Sequence, residues 1–357
     1  MSVAFFVLLL TVTIAWVLAP VLPAIFELLR PTDAEPLDAV GSDSGDLTVF
    51  ADGFRNYLAR QLPAALQASP GAEYRGELQD GTPFLQVGER AEFLGESASD
   101  GAHSSRVVTT VPTTLPGGEV FMMELLARST MQGGPDAIYR AVLAEQDLSL
   151  GERSSVLRWV HAAGNLYVGS GSTLFGRASA LRDLRLGNDV SFTRVRAARV
   201  VTGSAEPPAP MLFPLVMQGT TKFPVGTTRE RTFTRVAGDF TVPEGGAVTG
   251  SLVVTGTLTV EAGARIGGSV KTHGDCVLHD DVVIDGALIS RRDVTTGRGC
   301  AIHGSLAAER TVVLGPGSSV GTPLAQASLA AERITLHDGV QVFGAVTAVR
   351  EARTTSE

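Results

Sequence analysis

The stretch GSLVVTGTLTVEAGARIGGSVKTHGDCVLHDDVVIDGALI, residues 250–289, repeats a pattern of apolar residues with a period of 18. Leu258 and Val260 form an apolar pair, and Cys276 and Leu278 occupy the same places 18 residues later. The pair recurs as Phe240 with Val242, Val294 with Thr296, Val312 with Leu314 and, after a step of 22, Ile334 with Leu336. A fixed period of this length indicates a solenoid, in which each repeat stacks on the next.

Two further columns of apolar residues keep the same phase. One lies eight residues after the first member of each pair and contains Val248, Ile266, Ile284, Ile302, Val320 and Val342. The other lies twelve residues after it and contains Leu252, Val270, Leu288, Leu306, Leu324 and Val346. Between them lies a small residue, for example Gly250 or Gly268, which suits a corner with positive φ. Upstream, the same phase holds for Leu148 with Leu150, Leu166 with Val168, and Leu184 with Leu186.

The period has a simple physical interpretation. A coil of this length forms three short faces of about six residues each. At a rise of about 3.3 Å per residue, each face holds one short strand. Residues two apart point to the same side of a strand, so each column lines the interior of the stack. A single coil cannot bury its inward side, whereas a stack of coils can. The sequence therefore predicts an all-β fold, a β-helix of about nine coils preceded by a transmembrane helix and a small mixed α/β region.

Changes in composition divide the chain into segments. Apolar residues at helical spacing between 47 and 62 predict an amphipathic helix, and prolines between 204 and 237 interrupt the repeat. The expected segments are a transmembrane anchor (1–30), a linker (31–46), a small mixed α/β region (47–135), a first block of coils (136–203), a proline-rich inserted loop (204–237), a second block of coils (238–350) and a tail (351–357).

The N-terminus predicts a membrane anchor. Residues 3–22 contain no charged side chain, and about twenty residues are enough to cross a hydrocarbon core of roughly 30 Å. A cleaved signal peptide is the alternative, but no Lys or Arg precedes the apolar stretch, and Pro20 and Pro23 fit a cleavage site poorly. Arg30 is the only basic residue shortly after the stretch. We therefore expect a single-pass protein of the inner (cytoplasmic) membrane with its soluble body in the cytoplasm.

No catalytic, cofactor-binding or metal-binding residue is predicted. The histidines at 161, 273, 279, 303 and 337 are interpreted as surface residues, and no motif for a cofactor accompanies them. Cys276 and Cys300 are interpreted as small residues packed in the interior. The acidic group at 280, 281 and 285 matches no calcium motif. The net charge of -8 gives no reason to expect nucleic acid as a partner.

The upstream coils nevertheless have a local excess of basic residues. These are Arg153, Arg158, Arg177, Arg182, Arg185, Arg194, Arg196 and Arg199. Arg158 and Arg194 share one offset in the repeat with Gly176, which lies in the coil between them. Such a strip could meet an acidic partner or anionic lipid, although a solvated face is the simpler interpretation.

The last third of the chain resembles the bactofilins, bacterial cytoskeletal proteins that form polymers. The resemblance is carried by the repeat at 250–270, by GSLAAERTVVLGPGSSVG at 304–321 and by LAAERITLHDGVQVFGAV at 329–346. It implies a right-handed β-helix that assembles end to end without nucleotide, and for some members a scaffolding role at the membrane. This chain departs from the family by its length, its apolar N-terminus, its N-terminal region and its proline-rich interruption.

We therefore expect a membrane-anchored, bactofilin-like polymer-forming or scaffold protein at the cell envelope, and not an enzyme. Its expected partners are other copies of itself, in an oligomer or filament, the membrane, and cell-envelope proteins. Val342, Phe343 and Val346, near the end of the stack, are the predicted self-association residues. The alternatives are a non-polymerising β-solenoid that binds a protein or glycan, and an acyltransferase of the left-handed hexapeptide-repeat type, which also uses 18-residue coils.

Overall fold

The predicted solenoid is present. The computed structural model describes residues 48–62, 71–91, 94, 102–203, 221–223, 227–229 and 233–356. Within these residues the chain forms an all-β solenoid of about 13 turns with one short helix. Residues 18 apart lie on neighbouring coils, as in the parallel pairing of Ile266 with Ile284 and of Ile284 with Ile302.

The coils fall into two blocks. A helix, α1 (Val49–Gln61), precedes the first block. The strands of the first block are β1 (Tyr74–Glu77), β2 (Pro83–Val87), β3 (Ala102–His103), β4 (Arg106–Thr109), β5 (Thr113–Thr114), β6 (Val120–Ala127), β7 (Met131–Gln132), β8 (Ile138–Ala144), β9 (Leu148–Leu150), β10 (Ser155–Ala162), β11 (Leu166–Val168), β12 (Thr173–Ala180), β13 (Asp183–Leu186), β14 (Ser191–Arg196) and β15 (Arg199–Thr202).

The second block begins within residues 204–237, the segment predicted as a proline-rich loop, because its first two strands lie there. Its strands are β16 (Thr228–Arg229), β17 (Phe233–Val236), β18 (Phe240–Val242), β19 (Ala247–Val248), β20 (Ser251–Val254), β21 (Leu258–Val260), β22 (Arg265–Ile266), β23 (Val270–Thr272), β24 (Cys276–Leu278), β25 (Val283–Ile284), β26 (Leu288–Ser290), β27 (Val294–Thr296), β28 (Ala301–Ile302), β29 (Leu306–Ala308), β30 (Thr311–Leu314), β31 (Ser319–Val320), β32 (Ala327–Leu336), β33 (Gln341–Val342) and β34 (Gly344–Thr354).

The prediction of about nine coils is wrong, because the solenoid begins earlier than the repeat indicated. Strands β3 to β7, inside the predicted mixed region, are coils that stack in parallel on the following ones. One inward column starts there with His103, Phe121 and Tyr139, whose rings stack. These aromatic residues interrupt the aliphatic pattern on which the repeat was recognised.

The predicted amphipathic helix is confirmed, and it packs on the outside of the solenoid. Its buried residues Ala51, Phe54 and Leu58 form a second apolar cluster with outward side chains of the coils, among them Leu143 and Trp159. The rings of Phe54 and Trp159 meet edge to face with centroids 5.7 Å apart. The helix therefore covers an apolar outer face of the first block. The outward side chains of this face are apolar where they pack against the helix.

One predicted column residue was wrongly assigned. Leu324 is almost fully exposed, and Leu329 takes its place opposite Leu306. The longer step of 22 residues is accommodated by a turn that includes a bridge between Thr322 and Ala325. Leu324 extends from this turn into solvent.

The recurring glycine is required mainly by close approach between coils. Of Gly250, Gly268, Gly286 and Gly304, only Gly250 has positive φ. A Cβ atom on Gly268 would lie 2.6 Å from the backbone C of Gly250 and from the backbone N of Ser251. The expectation of a positive φ is therefore wrong for three of these four positions.

Hydrogen bonds from side chains also link consecutive coils. Asp275 Oδ1 accepts from the backbone N–H of Asp293, and Asp293 Oδ1 accepts from that of Thr311, each 18 residues further along the chain. Ser251 and Ser269 serve the next coil in the same way at another corner. Backbone N–H groups at the corners and at strand starts thereby gain a partner.

The two blocks meet end to end, each through its last coil. β14 pairs antiparallel with β34, and β15 pairs antiparallel with β33. All other pairings between coils are parallel among the described residues, apart from the terminal pairs β1–β2 and β16–β17. The chain thus winds towards this joint in both blocks.

The predicted membrane anchor at 1–30 and the linker at 31–46 lie outside the described residues. Among the residues that the structure does describe, no helix is long and apolar enough to cross a membrane.

Candidate functional site

The joint between the two blocks contains the residues that the sequence assigns to self-association. Val342 pairs with Val200, and Val346 pairs with Val195. Both residues are fully buried, and Phe343 is only 4% exposed. The predicted contact surface between copies is thus occupied, in this chain, by the chain's own first block.

Pairing at the joint extends over all three faces of the coil. The third face is closed by Phe192, which pairs with Ala352. Two threonines complete the corners: Val190 N–H donates to Thr354 Oγ1 at 2.9 Å, and Val340 N–H donates to Thr202 Oγ1 at 3.0 Å. Each inward column therefore continues from one block into the other without a gap.

The two outer ends of the stack carry antiparallel edge strands. β1 turns back along β2 at one end, and β16 turns back along β17 at the other. Phe223 also stacks on Phe240, with ring centroids 5.4 Å apart, and Thr221 N–H donates to Ala247 O. Exposed edge strands promote pairing between chains, and segments of this kind oppose it.

The histidines considered for acyl transfer lie in different environments. His161 is not a surface residue as expected, since it is buried and its Nδ1 lies 2.8 Å from Ser179 Oγ. His279 lies 3.6 Å from Glu261, and His303 lies 3.4 Å from Asp285.

His103, which sequence reasoning did not consider, is buried beside Glu119, with Nε2 and Oε2 2.8 Å apart. In the sequence, His103 lies one period of 18 residues before Phe121, and this spacing was the signal that could have identified it as an interior residue.

The cysteines and acidic residues are accounted for by structural contacts. Cys276 and Cys300 are fully buried and free, and burial raises the pKa of the Cys276 thiol to about 12 and that of Cys300 to about 11. Asp285 forms an ion pair with Arg265, and Asp280 accepts a backbone hydrogen bond from Arg298 at 2.7 Å. In the described part of the chain, no group of three or more His, Cys, Asp or Glu residues could hold a metal.

The basic residues of the first block separate into two sets. Arg153 pairs with Asp136 and Arg199 pairs with Asp183, so these side chains are neutralised locally. Arg158 and Arg194 are exposed at one corner of the solenoid, where the strand bends between two faces. This corner carries both charge and apolar surface.

We call this corner the ridge. Its exposed apolar residues are Met122, Leu157, Phe175 and Val349, with 51%, 47%, 62% and 81% of their surface exposed. Its basic residues are Arg140, Arg158, Arg194 and Arg350.

Sequence reasoning identified the offset shared by Arg158 and Arg194 but missed the apolar side chains. Leu157 directly follows the inward Val156, and Phe175 directly follows the inward Leu174. An apolar residue in that place breaks the inward–outward alternation, and this was the available signal.

Comparison with protein-family models, with curated proteins and with solved structures finds no match to this chain.

Proposed function

We propose that the protein is a membrane-tethered, bactofilin-like scaffold whose solenoid does not polymerise through the end that contains Val342, Phe343 and Val346. The observation that carries this proposal is the joint, where the final coil of each block pairs with the other on every face. A solenoid extends by adding strands to a free edge, and these edges are already used.

The proposed role is assembly rather than catalysis. The tether is the uncharged stretch at 3–22, in the inner membrane, with the solenoid on the cytoplasmic side. A rigid rod of stacked coils presents long flat faces, and repeat proteins commonly use such surfaces to bind partners. The expected partners are the membrane and proteins of the cell envelope. The acyltransferase alternative has less support, because three of its five candidate histidines, His161, His279 and His303, have separate structural partners.

Sedimentation and negative-stain electron microscopy of the purified full chain in detergent test this proposal. We expect short rods of one length and a discrete sedimentation coefficient at every protein concentration. Filaments that lengthen with concentration would show that the scaffold polymerises and that the joint does not limit assembly.

The tether is tested separately by flotation of the full chain with vesicles. A variant with Leu8→Arg and Val17→Arg is the control, since charges in the apolar stretch are costly in a bilayer. We expect the wild-type chain to float and the variant to sediment. Equal flotation of the two would refute the tether at 3–22.

A further inference from the structure

The ridge differs in charge from the molecule as a whole. The chain has a net charge of -8, yet four arginines lie along this one corner. Arg140 is paired with Glu124, Arg350 is paired with Glu332, and Glu351 lies at one end of the ridge. Arg158 and Arg194, in contrast, extend to solvent near the exposed apolar residues. The middle of the ridge is therefore both cationic and apolar.

The residues of the ridge form a regular row. Its residues follow one another on β6, β8, β10, β12, β14 and β34, which are successive coils of the stack. Neighbouring strands lie about 4.8 Å apart, so the ridge is a nearly straight row roughly 24 Å long. At one end of the row, Met122, Arg140, Leu157 and Arg158 line a depression that is open to solvent. Phe175, which is 62% exposed, extends from the surface further along the row.

Helix α1 packs on the face of the first block that begins at this corner. Helix α1 begins at Val49, and the Arg177 guanidinium lies over the Phe50 ring, 5.0 Å from its centroid. Arg177 belongs to the same strand as Phe175 of the ridge. Phe50 therefore lies near the ridge, while Thr48, the first described residue, lies at the other end of the same face, beside Ser179 and Leu181.

We propose that the ridge binds the surface of a bilayer that contains anionic lipids. Met122, Leu157 and Phe175 would insert between the headgroups, and Arg158 and Arg194 would contact lipid phosphates. This combination of apolar and basic side chains is typical of segments that lie in the membrane interface. Arginine stems can lie along the apolar region while the guanidinium groups remain at the phosphates. The inference rests on the proposed tether, which would hold the solenoid near the bilayer.

A lipid surface fits the ridge better than an acidic protein does. A protein partner binds mainly through anchor residues that fill well-packed pockets, and the depression at Met122 and Leu157 is open to solvent and has two arginines in its lining. Anionic lipids need no fixed shape, and each basic residue near such a surface contributes an approximately five-fold gain in binding, equivalent to about 1 kcal/mol.

The experiment places an environment-sensitive nitrobenzoxadiazole label on the ridge of the full chain, through Phe175→Cys. Cys276 and Cys300 are fully buried, so the introduced thiol is the one that reacts in the folded protein. The fluorescence emission of the label is measured with vesicles of phosphatidylcholine alone and with vesicles of phosphatidylcholine that contain 30% phosphatidylglycerol. We expect a blue shift and stronger emission in the anionic vesicles only, reduced by high salt, because salt screens the attraction.

Two controls make the result specific. Tyr167→Cys places the label on an exposed residue of the same coil, on another face, and is expected to show no blue shift. Arg158→Glu with Arg194→Glu, added to Phe175→Cys, should abolish the response. Arg182→Glu with Arg298→Glu makes the same change in net charge away from the ridge and should preserve it.

The outcomes separate the ridge from the tether. Flotation with both kinds of vesicle but no response at Phe175→Cys would show that the ridge proposal is wrong while the tether stands. A response at Phe175→Cys that survives Arg158→Glu with Arg194→Glu would also overturn it. A label that responds to an acidic peptide such as polyglutamate and not to vesicles would identify the ridge as a protein-binding surface instead.

Discussion

At the scale of single residues, the spacing between coils decides which side chains are tolerated. Gly268→Ala would place a Cβ atom 2.6 Å from the backbone of the preceding coil, whereas on the adjacent Gly267 the nearest atom is 3.5 Å away. Neither residue has positive φ, so the two variants differ mainly in close approach. We expect Gly268→Ala to lower the free energy of unfolding by about 3 kcal/mol, and Gly267→Ala to change it by less than about 0.5 kcal/mol.

Urea denaturation of the two glycine variants, followed by circular dichroism, measures this difference. Equal midpoints would show that the coils can separate locally to admit a methyl group at Gly268. The recurrence of glycine at this corner would then need another explanation.

The buried thiols provide a second prediction at this scale. Burial raises the pKa of Cys276 to about 12 and that of Cys300 to about 11, from an ordinary value of 9.0. The thiolate is the reactive form, so both residues should resist Ellman's reagent at pH 8 until the chain unfolds. Leu157→Cys, on the exposed ridge, should react immediately under the same conditions. Rapid reaction of a second thiol in the folded variant would contradict the buried placement.

The same thiols predict how stability depends on pH. In the unfolded chain they lose their protons near pH 9, while in the folded chain they retain them to about pH 11 and 12. The unfolded state therefore binds fewer protons in this range, and the free energy of unfolding should fall as pH rises from 9 towards 12. Cys276→Ala with Cys300→Ala should reduce this slope, as measured by urea denaturation at each pH.

At the scale of elements, helix α1 depends on the solenoid for its partner face. Phe54 is 9% exposed and packs against Trp159. Phe54→Ala should weaken the docking of the helix on the solenoid by about 3 kcal/mol and detach it. The reason is that an aromatic residue contributes much of the free energy of such a small contact. The tryptophan emission should shift to the red, because Trp159 would become solvated, and the helix should become accessible to proteases.

Asn56→Ala, on the exposed side of the same helix, is the control and should change neither signal. We also expect the midpoint temperature of the solenoid's main unfolding transition to stay within a few degrees of the wild-type value, because the inner core does not include Phe54. Loss of the whole fold in Phe54→Ala would show that the helix stabilises the coils and does not merely cover them.

The second block could be predicted from the sequence almost strand by strand, and the first coils could not. Repeated aliphatic columns such as Ile266, Ile284 and Ile302 identify neighbours, because only a stack buries them all. The column that begins with His103 and Phe121 mixes residue types. Bulges in β6, β10 and β12 also change the spacing within coils, and the period then becomes hard to recognise.

The candidate surfaces were only partly predictable. The offset shared by Arg158 and Arg194 is visible in the sequence, but the exposure of Leu157 and Phe175 depends on where the strand bends. Val342 and Val346 were correctly placed in interior columns. Their partners could not be predicted, because an inward residue looks the same whether the next coil is parallel or antiparallel to it.

At the scale of the whole molecule, the joint should make two solenoid blocks unfold as one. In stacked repeats, stability is approximately the sum of the repeats and of the contacts between neighbours. Val346→Ala weakens the contact across the joint, while Val270→Ala removes the same atoms from the same column inside the second block. Each substitution should lower the free energy of unfolding by about 2 kcal/mol. Only the joint variant should unfold in two steps, because only there does the weakened contact separate the blocks.

Urea denaturation followed by hydrogen exchange and mass spectrometry distinguishes the two variants. For Val346→Ala we expect β33, β34, β14 and β15 to exchange earlier than the centre of either block. The same variant should form dimers or larger species as protein concentration rises, because the freed edges can pair between copies. A single transition of equal sharpness in both variants, with no association, would mean that the joint contributes no more than any other contact between coils.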